Sequence, residues 1–184
     1  MRLYLVRHPE PLVKSETCYG SSDVGVNSAH CDRVSAALLT TLPKEASLFS
    51  SPLRRCAELA HKLSAGFDQK PIKFDERLAE MHFGLWELRP WSDIPRTEVE
   101  AWVKDVVSYQ PGGGESVLQM AMRVREFHDE LLRDNHENAV VICHAGTIRM
   151  LLACQRGLPL AEMARYAAQI RHKIAFGETI LLDI

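Results

Sequence analysis

Apolar residues in this chain form short continuous runs, separated by stretches in which they recur every three or four positions. The runs "RLYLV" (2–6), "SLFSS" (47–51), "PIKFDE" (71–76) and "AVVIC" (139–143) predict strands, "AVVIC" being the cleanest buried one. Between them, Cys31, Val34, Leu38 and Leu42 keep helical spacing, with Asn27 as N-cap and Pro43 as terminator. Leu53, Cys56, Ala60 and Leu63 give a second helix one apolar face, and Ser51-Pro52 is its expected N-cap and first helical residue. Val117, Met120, Val124, Phe127 and Leu131 mark a long helix, and "HAGTIRMLLACQ" (144–155) a turn opening into another. At the end, "KIAF" and "TILLDI", split by Gly177-Glu178, predict a hairpin.

Two segments lack this regularity. Residues 12–25 are expected to be loop. Residues 77–114 contain all three tryptophans, Trp86, Trp91 and Trp102, and close on "PGGG". They predict an excursion over the sheet with one helix near 95–108. Strands alternating with helices imply a three-layer α/β/α sandwich with a mostly parallel sheet and a C-terminal antiparallel strand or hairpin. The expected organisation is one domain over 1–184.

Composition narrows the functional classes. With 46% hydrophobic and 25% charged residues, the chain can bury a core. A net charge of −2 argues against nucleic acid or an anionic membrane as partner. The five cysteines (18, 31, 56, 143 and 154) include no CxxC pair, so neither a disulfide framework nor a zinc site is expected. No run reaches the ~18 apolar residues of a membrane span, and the N-terminal run is too short for a signal peptide. These features predict a cytoplasmic enzyme.

Candidate chemistry sits where two runs end. "LYLV" stops at Arg7-His8 and "AVVIC" at His144-Ala145-Gly146. In open α/β sheets ligands bind beyond the carboxyl ends of the strands. Neighbouring strands would put both imidazoles in one crevice, with the helix after Gly146 aiming N–H groups at an anion. "SSPLRR" adds Arg54 and Arg55 in the first turn of a helix, and a guanidinium grips two phosphate oxygens in a planar fork. Such a set suits phosphoryl transfer to a neutral histidine, which nearby cations favour over imidazolium. Without an acidic cluster for magnesium, no metal or cofactor is expected, and Glu80 or Glu87 could supply an acid.

Four stretches, in order over about residues 1–152, resemble motifs of the histidine phosphatase (phosphoglycerate mutase-like) superfamily. They are "LVRHPE", "SSPLRRCAELA", "LAEMHFGLWE" and "VICHAGTIR". Within it, "RHPEP", "CYGSSD", "WSDIP" and "YQPGGGESV" are most similar to α-ribazole phosphatases of the cobalamin pathway. The resemblance implies a phosphoglycerate mutase-like fold. It implies His8 as the nucleophile that becomes phosphohistidine, Arg7 and Arg55 as the phosphate clamp, and His144 as the second phosphate-contacting histidine. Glu80 aligns with the proton donor, Glu87 is expected to be structural, and Tyr19, Gly20 and Ala145 fall where substrate is bound. Departures are Pro9 for glycine, Pro11 for threonine, Lys14 for asparagine, His30 for glycine, and Leu88 for the glycine after "WE".

The expected activity is metal-independent hydrolysis of a small-molecule phosphate ester, with α-ribazole 5′-phosphate or adenosylcobalamin 5′-phosphate preferred and a homodimer left open. Alternatives are other small esters such as sugar phosphates or phosphoglycerate, or a non-catalytic phosphate-binding relative. Trp86 and Trp102 are expected in the excursion's own core and Trp91 at the ligand. His61, His82, His128, His136 and His172 show no metal-site spacing, and His128 is expected on a solvated helix face. A Cys143–His144 dyad is disfavoured because successive strand residues face opposite ways.

Overall fold

The computed structural model describes residues 1–67, 71–171 and 173–184. In chain order the elements are β1 (Arg2–Arg7), β2 (Thr17–Cys18), α1 (Ser28–Thr41), β3 (Ser47–Ser50), α2 (Arg54–Ser64) and β4 (Lys73–Phe74). There follow β5 (Arg89–Pro90), α3 (Arg96–Lys104), α4 (Val117–Arg133), β6 (Asn138–Cys143), α5 (Ala145–Cys154), α6 (Leu160–Gln169) and β7 (Thr179–Asp183). The main sheet has the order β4-β3-β6-β1-β7. Its first four strands are parallel, and β7 runs antiparallel to β1.

The alternation along β6 shows how the layers form. Ala139, Val141 and Cys143 pack into a cluster with buried residues of α4, α5 and α6. Val140 and Ile142 point the other way, into a cluster with residues of α1 and α2. Both sets are buried, so the strand is apolar without interruption, as a doubly covered parallel strand must be. The fold is therefore the expected α/β sandwich, with β1 and β6 paired through Arg7↔Cys143. That register brings the residues after both strands to one edge.

Capping follows the sequence in two places. Asn27 accepts the His30 N–H at 3.1 Å at the start of α1. Ser116 and Gln119 form a reciprocal capping box on α4.

The second helix departs from expectation. It begins at Arg54 with Leu53 as a cap that makes no side-chain bond. Ser51 is not the N-cap: its hydroxyl accepts the N–H of Leu53, the cap residue itself, at 3.3 Å and faces His144 Nε2 at 2.9 Å.

Other boundaries also differ. Within 12–25, Thr17–Cys18 pairs with Arg89–Pro90 as a second small sheet. The third strand contracts to Lys73–Phe74, an edge pair exposed on both residues. The excursion contains α3 at Arg96–Lys104 among short 3₁₀ turns. Helix α6 was not anticipated. Its buried face is Met163, Ala164 and Ala167, and a single large apolar residue beside two alanines does not stand out as apolar periodicity. "KIAF" is not a strand, and only Thr179–Asp183 joins the sheet. Ile174 and Phe176 are spent on the end of β1, as shown below.

Candidate active site

The edge formed by β1 and β6 holds four of the eight expected site residues in a buried cluster. His8 and His144 are 1% and 0% exposed, and their ring centroids lie 5.1 Å apart. Arg55 is also 0% exposed. A guanidinium out of water is costly unless its N–H groups are paired. Arg55 Nη1 and Nη2 donate to the carbonyls of Ser22 and Gly20 at 2.7 and 2.6 Å, while its Nε is buried without a partner among the described residues. Arg7 donates from Nη1 to the Ile174 carbonyl at 2.5 Å, and its Nε is likewise buried and unpartnered. Arg54 stays on the surface, paired with Glu58.

The environment sets the protonation of both rings. Burial, reinforced by Arg55 and Arg7, pushes His8 well below the usual imidazole range against the opposing pull of the Pro9 carbonyl. Burial also lowers His144, with Arg55, His8, Arg123 and Arg7 adding to the effect. His8 Nδ1 lies 2.7 Å from the Pro9 carbonyl oxygen. A carbonyl only accepts, so the neutral ring carries its proton on Nδ1 and presents a lone pair at Nε2. The His144 ring is held by Ser51 Oγ.

The other four residues, Tyr19, Gly20, Glu80 and Ala145, line a cavity of about 410 Å³ beside this cluster. Its far wall is apolar and aromatic, with Met81, Phe83, Trp91, Trp102 and Met120 among its residues. Tyr19 links the two regions. Its ring lies 5.1 Å from the Arg55 carbon, and Arg7 hydrogen-bonds its hydroxyl. Burial raises the Tyr19 phenol despite the opposing arginines. Glu80 accepts the N–H of Gly146 at 2.9 Å and of Met81 at 3.0 Å, which turns its carboxyl toward the helix that follows His144.

Two supporting groups lie under the site. Glu87 accepts from Ser21 N and Oγ, Ser22 Oγ and Phe83 N, so it braces the loop whose carbonyls hold Arg55. Burial pushes its carboxyl upward, but these hydrogen bonds outweigh burial and hold it below the usual range. Gly20 fits here because it has φ +35°, and a Cβ would lie 2.5 Å from the Met81 carbonyl and 2.6 Å from Glu87.

Arg123 was missed by sequence reasoning. It donates to the carbonyls of Arg77 and Ala79 at 2.7 and 2.8 Å and grips Glu115 with two nitrogens, fixing the backbone before Glu80. Its signal was a cation beside Met120 and Val124, at the border of an apolar helix face.

Some expectations change. Trp86 is core as expected, and its indole N–H donates to Glu98 at 2.6 Å. Trp102, expected in that core, packs against it but also lines the cavity, stacked on Trp91 at 6.5 Å and 6°. His128 is buried rather than solvated, on the core-facing side of α4, and Gln155, just beyond α5, lies 2.8 Å from its Nε2. Cys143 packs into the α4–α6 core and burial raises its thiol well above the usual range, which leaves no dyad with His144. His61 and His82 are exposed, His136 lies beside Ser47, and His172 lies outside the described residues. Among the described residues no group of three or more potential metal ligands occurs, and no helix is long and apolar enough to cross a membrane.

An α/β sandwich with two neutral imidazoles and two guanidiniums at the carboxyl ends of adjacent strands defines a phosphatase-type enzyme. Residues 3–172 match the model of the histidine phosphatase superfamily (branch 1), and the chain belongs to that family. It is 30% identical over 171 residues to the adenosylcobalamin/alpha-ribazole phosphatase of Escherichia coli K12, covering 89% of this chain and 83% of that protein. The alpha-ribazole phosphatase structure from Shigella flexneri superposes with a TM-score of 0.82 at 25% identity, covering 100% of this chain and 91% of that one. A mycobacterial glucosyl-3-phosphoglycerate phosphatase complexed with VO3 gives 0.80 at 25%, covering 99% and 92%.

Proposed function

We propose that the protein hydrolyses a phosphomonoester through a phosphohistidine on His8. The observation that carries this is the His8 tautomer. Its Nδ1–H is tied to the Pro9 carbonyl, so an Nε2 lone pair faces a cluster in which Arg7 and Arg55 each keep a buried Nε–H without a partner among the described residues. His8 Nε2 attacks phosphorus as the bond to the ester oxygen breaks. Arg7, Arg55 and His144 hold the equatorial oxygens, which take the place of the Tyr19 hydroxyl on Arg7. Glu80 gives its proton to the leaving oxygen. The resulting carboxylate then takes a proton from the water that attacks phosphorus and breaks the P–N bond.

The substrate we propose is α-ribazole 5′-phosphate or adenosylcobalamin 5′-phosphate. Support comes from the cavity beside Glu80, whose walls include Phe83 and the stacked Trp91–Trp102 pair and suit a flat apolar base. The names of the Escherichia and Shigella relatives point the same way. The same proposal takes residues 1–184 as one domain acting on a small molecule in the cytoplasm, where five free, buried thiols are at home.

The test is kcat/KM across a panel holding α-ribazole 5′-phosphate, sugar phosphates, phosphoglycerates and phosphoserine, run beside His8→Ala. The expected result is preference for the ribazole ester, no turnover in the variant, and an acid-labile phosphoenzyme in the native protein. Equal rates across the panel remove the substrate assignment, and a fully active His8→Ala removes the mechanism.

A further inference from the structure

We infer that Phe176 is a positioning residue that holds Arg7 and His8 in working orientation, an inference resting on the roles proposed for those two residues. The Phe176 ring centroid lies 3.8 Å from the Arg7 guanidinium carbon and 5.5 Å from the His8 ring. The residues around it grip the same strand end. Ile174 accepts from Arg7 Nη1, the Gly177 N–H reaches the carbonyls of Arg7 and His8 at 3.1 and 3.3 Å, and Arg7 N donates to the Glu178 carbonyl at 2.9 Å. The turn is tight enough to need glycine at 177, which has φ +78° and whose Cβ would meet Val34 at 2.6 Å.

A half-buried phenylalanine is most often filler for a core. Phe176 belongs to none of the three apolar clusters that build this one. Its contacts are with a cation and an imidazole instead. The negative face of an aromatic ring attracts a guanidinium and favours coplanar approach, which fixes the rotation of the Arg7 fork. Ile174 then consumes one N–H, and the others, including the one the Tyr19 hydroxyl occupies, are turned toward the oxyanion. On its other side the ring excludes water from His8, the imidazole also faced by Arg7, by Arg55 from α2 and by His144, with Tyr19 and Glu80 beyond Arg7.

The test compares Phe176→Ala, Phe176→Leu and Phe176→Tyr with the native protein. It measures p-nitrophenyl phosphate hydrolysis, inhibition by inorganic phosphate, and NMR titration of the His8 ring. Phe176→Ala is expected to lower kcat about 10- to 100-fold, as misplaced reacting groups do. It should also weaken phosphate binding about 5- to 30-fold with the loss of a desolvated cation–π contact, and move the His8 titration upward. Phe176→Leu keeps the imidazole dry and its titration near native, yet leaves phosphate binding weakened. Phe176→Tyr restores all three.

A Phe176→Ala protein of lowered Tm with native phosphate affinity and native His8 titration would make the ring mere packing and overturn the inference. If the alanine variant does not fold, equal phosphate affinity in the leucine and tyrosine variants does the same. Full hydrolysis by His8→Ala would instead strike the mechanism on which the inference rests.

Discussion

The backbone N–H of Gly146 donates to Glu80 at 2.9 Å, and this approach leaves no room for a side chain at 146. A Cβ there would overlap Glu80 Oε1 and stand 3.0 Å from the carboxyl carbon. Gly146→Ala is therefore expected to displace the proposed acid and lower kcat about 10- to 100-fold. Glu80→Gln should cost about 10²- to 10⁴-fold on an alkyl phosphate. It should cost far less on p-nitrophenyl phosphate, whose phenolate departs without a proton. Equal losses on the two esters in kcat/KM, which reports phosphoryl transfer to His8 and not the later hydrolysis, would rule Glu80 out as the acid.

The two imidazoles carry a pH signature. Burial followed by Arg55 lowers both His8 and His144 well below 6.5 in the native protein. Between 6.5 and those lowered values the unfolded chain binds protons that the native one does not, so stability falls as pH falls through that window. Above 6.5 both states are neutral at these residues and the effect vanishes. Urea unfolding across this range should show the loss, and replacing His144 by glutamine should reduce its slope. A native protein whose stability is flat from neutrality to well below pH 6.5 would contradict the assignment of buried neutral rings.

Arg55 is held by two carbonyls and a tyrosine face, so its replacement acts on fold and phosphate together. Arg55→Ala should destabilise by about 1–3 kcal/mol, the cost of leaving the buried Gly20 carbonyl unpaired, since the Ser22 carbonyl keeps the Val24 N–H. Arg55→Lys restores charge without the fork, and should recover little phosphate affinity. Glu87→Gln, which loosens the loop supplying those carbonyls, is expected to weaken phosphate binding with a smaller effect on Tm. Inhibition by inorganic phosphate and thermal melts read out all three.

Leu88 stands where the resemblance places glycine, and the backbone there has the conformation that favours glycine. Leu88 has φ +62° with its side chain 61% exposed, so it bears left-handed strain and buries little in return. Leu88→Gly is expected to stabilise the protein by about 1 kcal/mol. For a chain of this size that raises Tm by about 2–4 °C. A lowered Tm would mean that the leucine side chain contributes more contact than its exposure suggests.

The strands carrying His8 and His144 were legible because both faces of a parallel strand are buried, and an unbroken apolar run in "RLYLV" or "AVVIC" has few other uses. The residues at the run ends were legible for the same reason, since a charge or imidazole there marks the sheet edge. What could not be read locally depends on partners distant in the chain. Ser51 has the form of a helix cap, and nothing local tells that its hydroxyl meets His144 and the Leu53 N–H rather than an N–H inside the helix. His128 sits among charged neighbours, yet it lies on the buried face of α4 with Gln155, just past α5, against its ring. "KIAF" alternates like a strand, and nothing within it tells that Phe176 faces a cation on β1 rather than a pairing partner. Helix α6 escaped because alanines carry its contact face.

The order in which the polypeptide is made bears on when its chemistry can begin. Strand β1 is made well before β7, one of its neighbours in the sheet, and the Arg7 fork rests on Ile174 and Phe176. A nascent chain that has not yet extruded residues 174–183 lacks both that neighbour and the rest for Arg7. The phosphate recognition proposed for Arg7 thus waits on a segment made long after the strand that carries it.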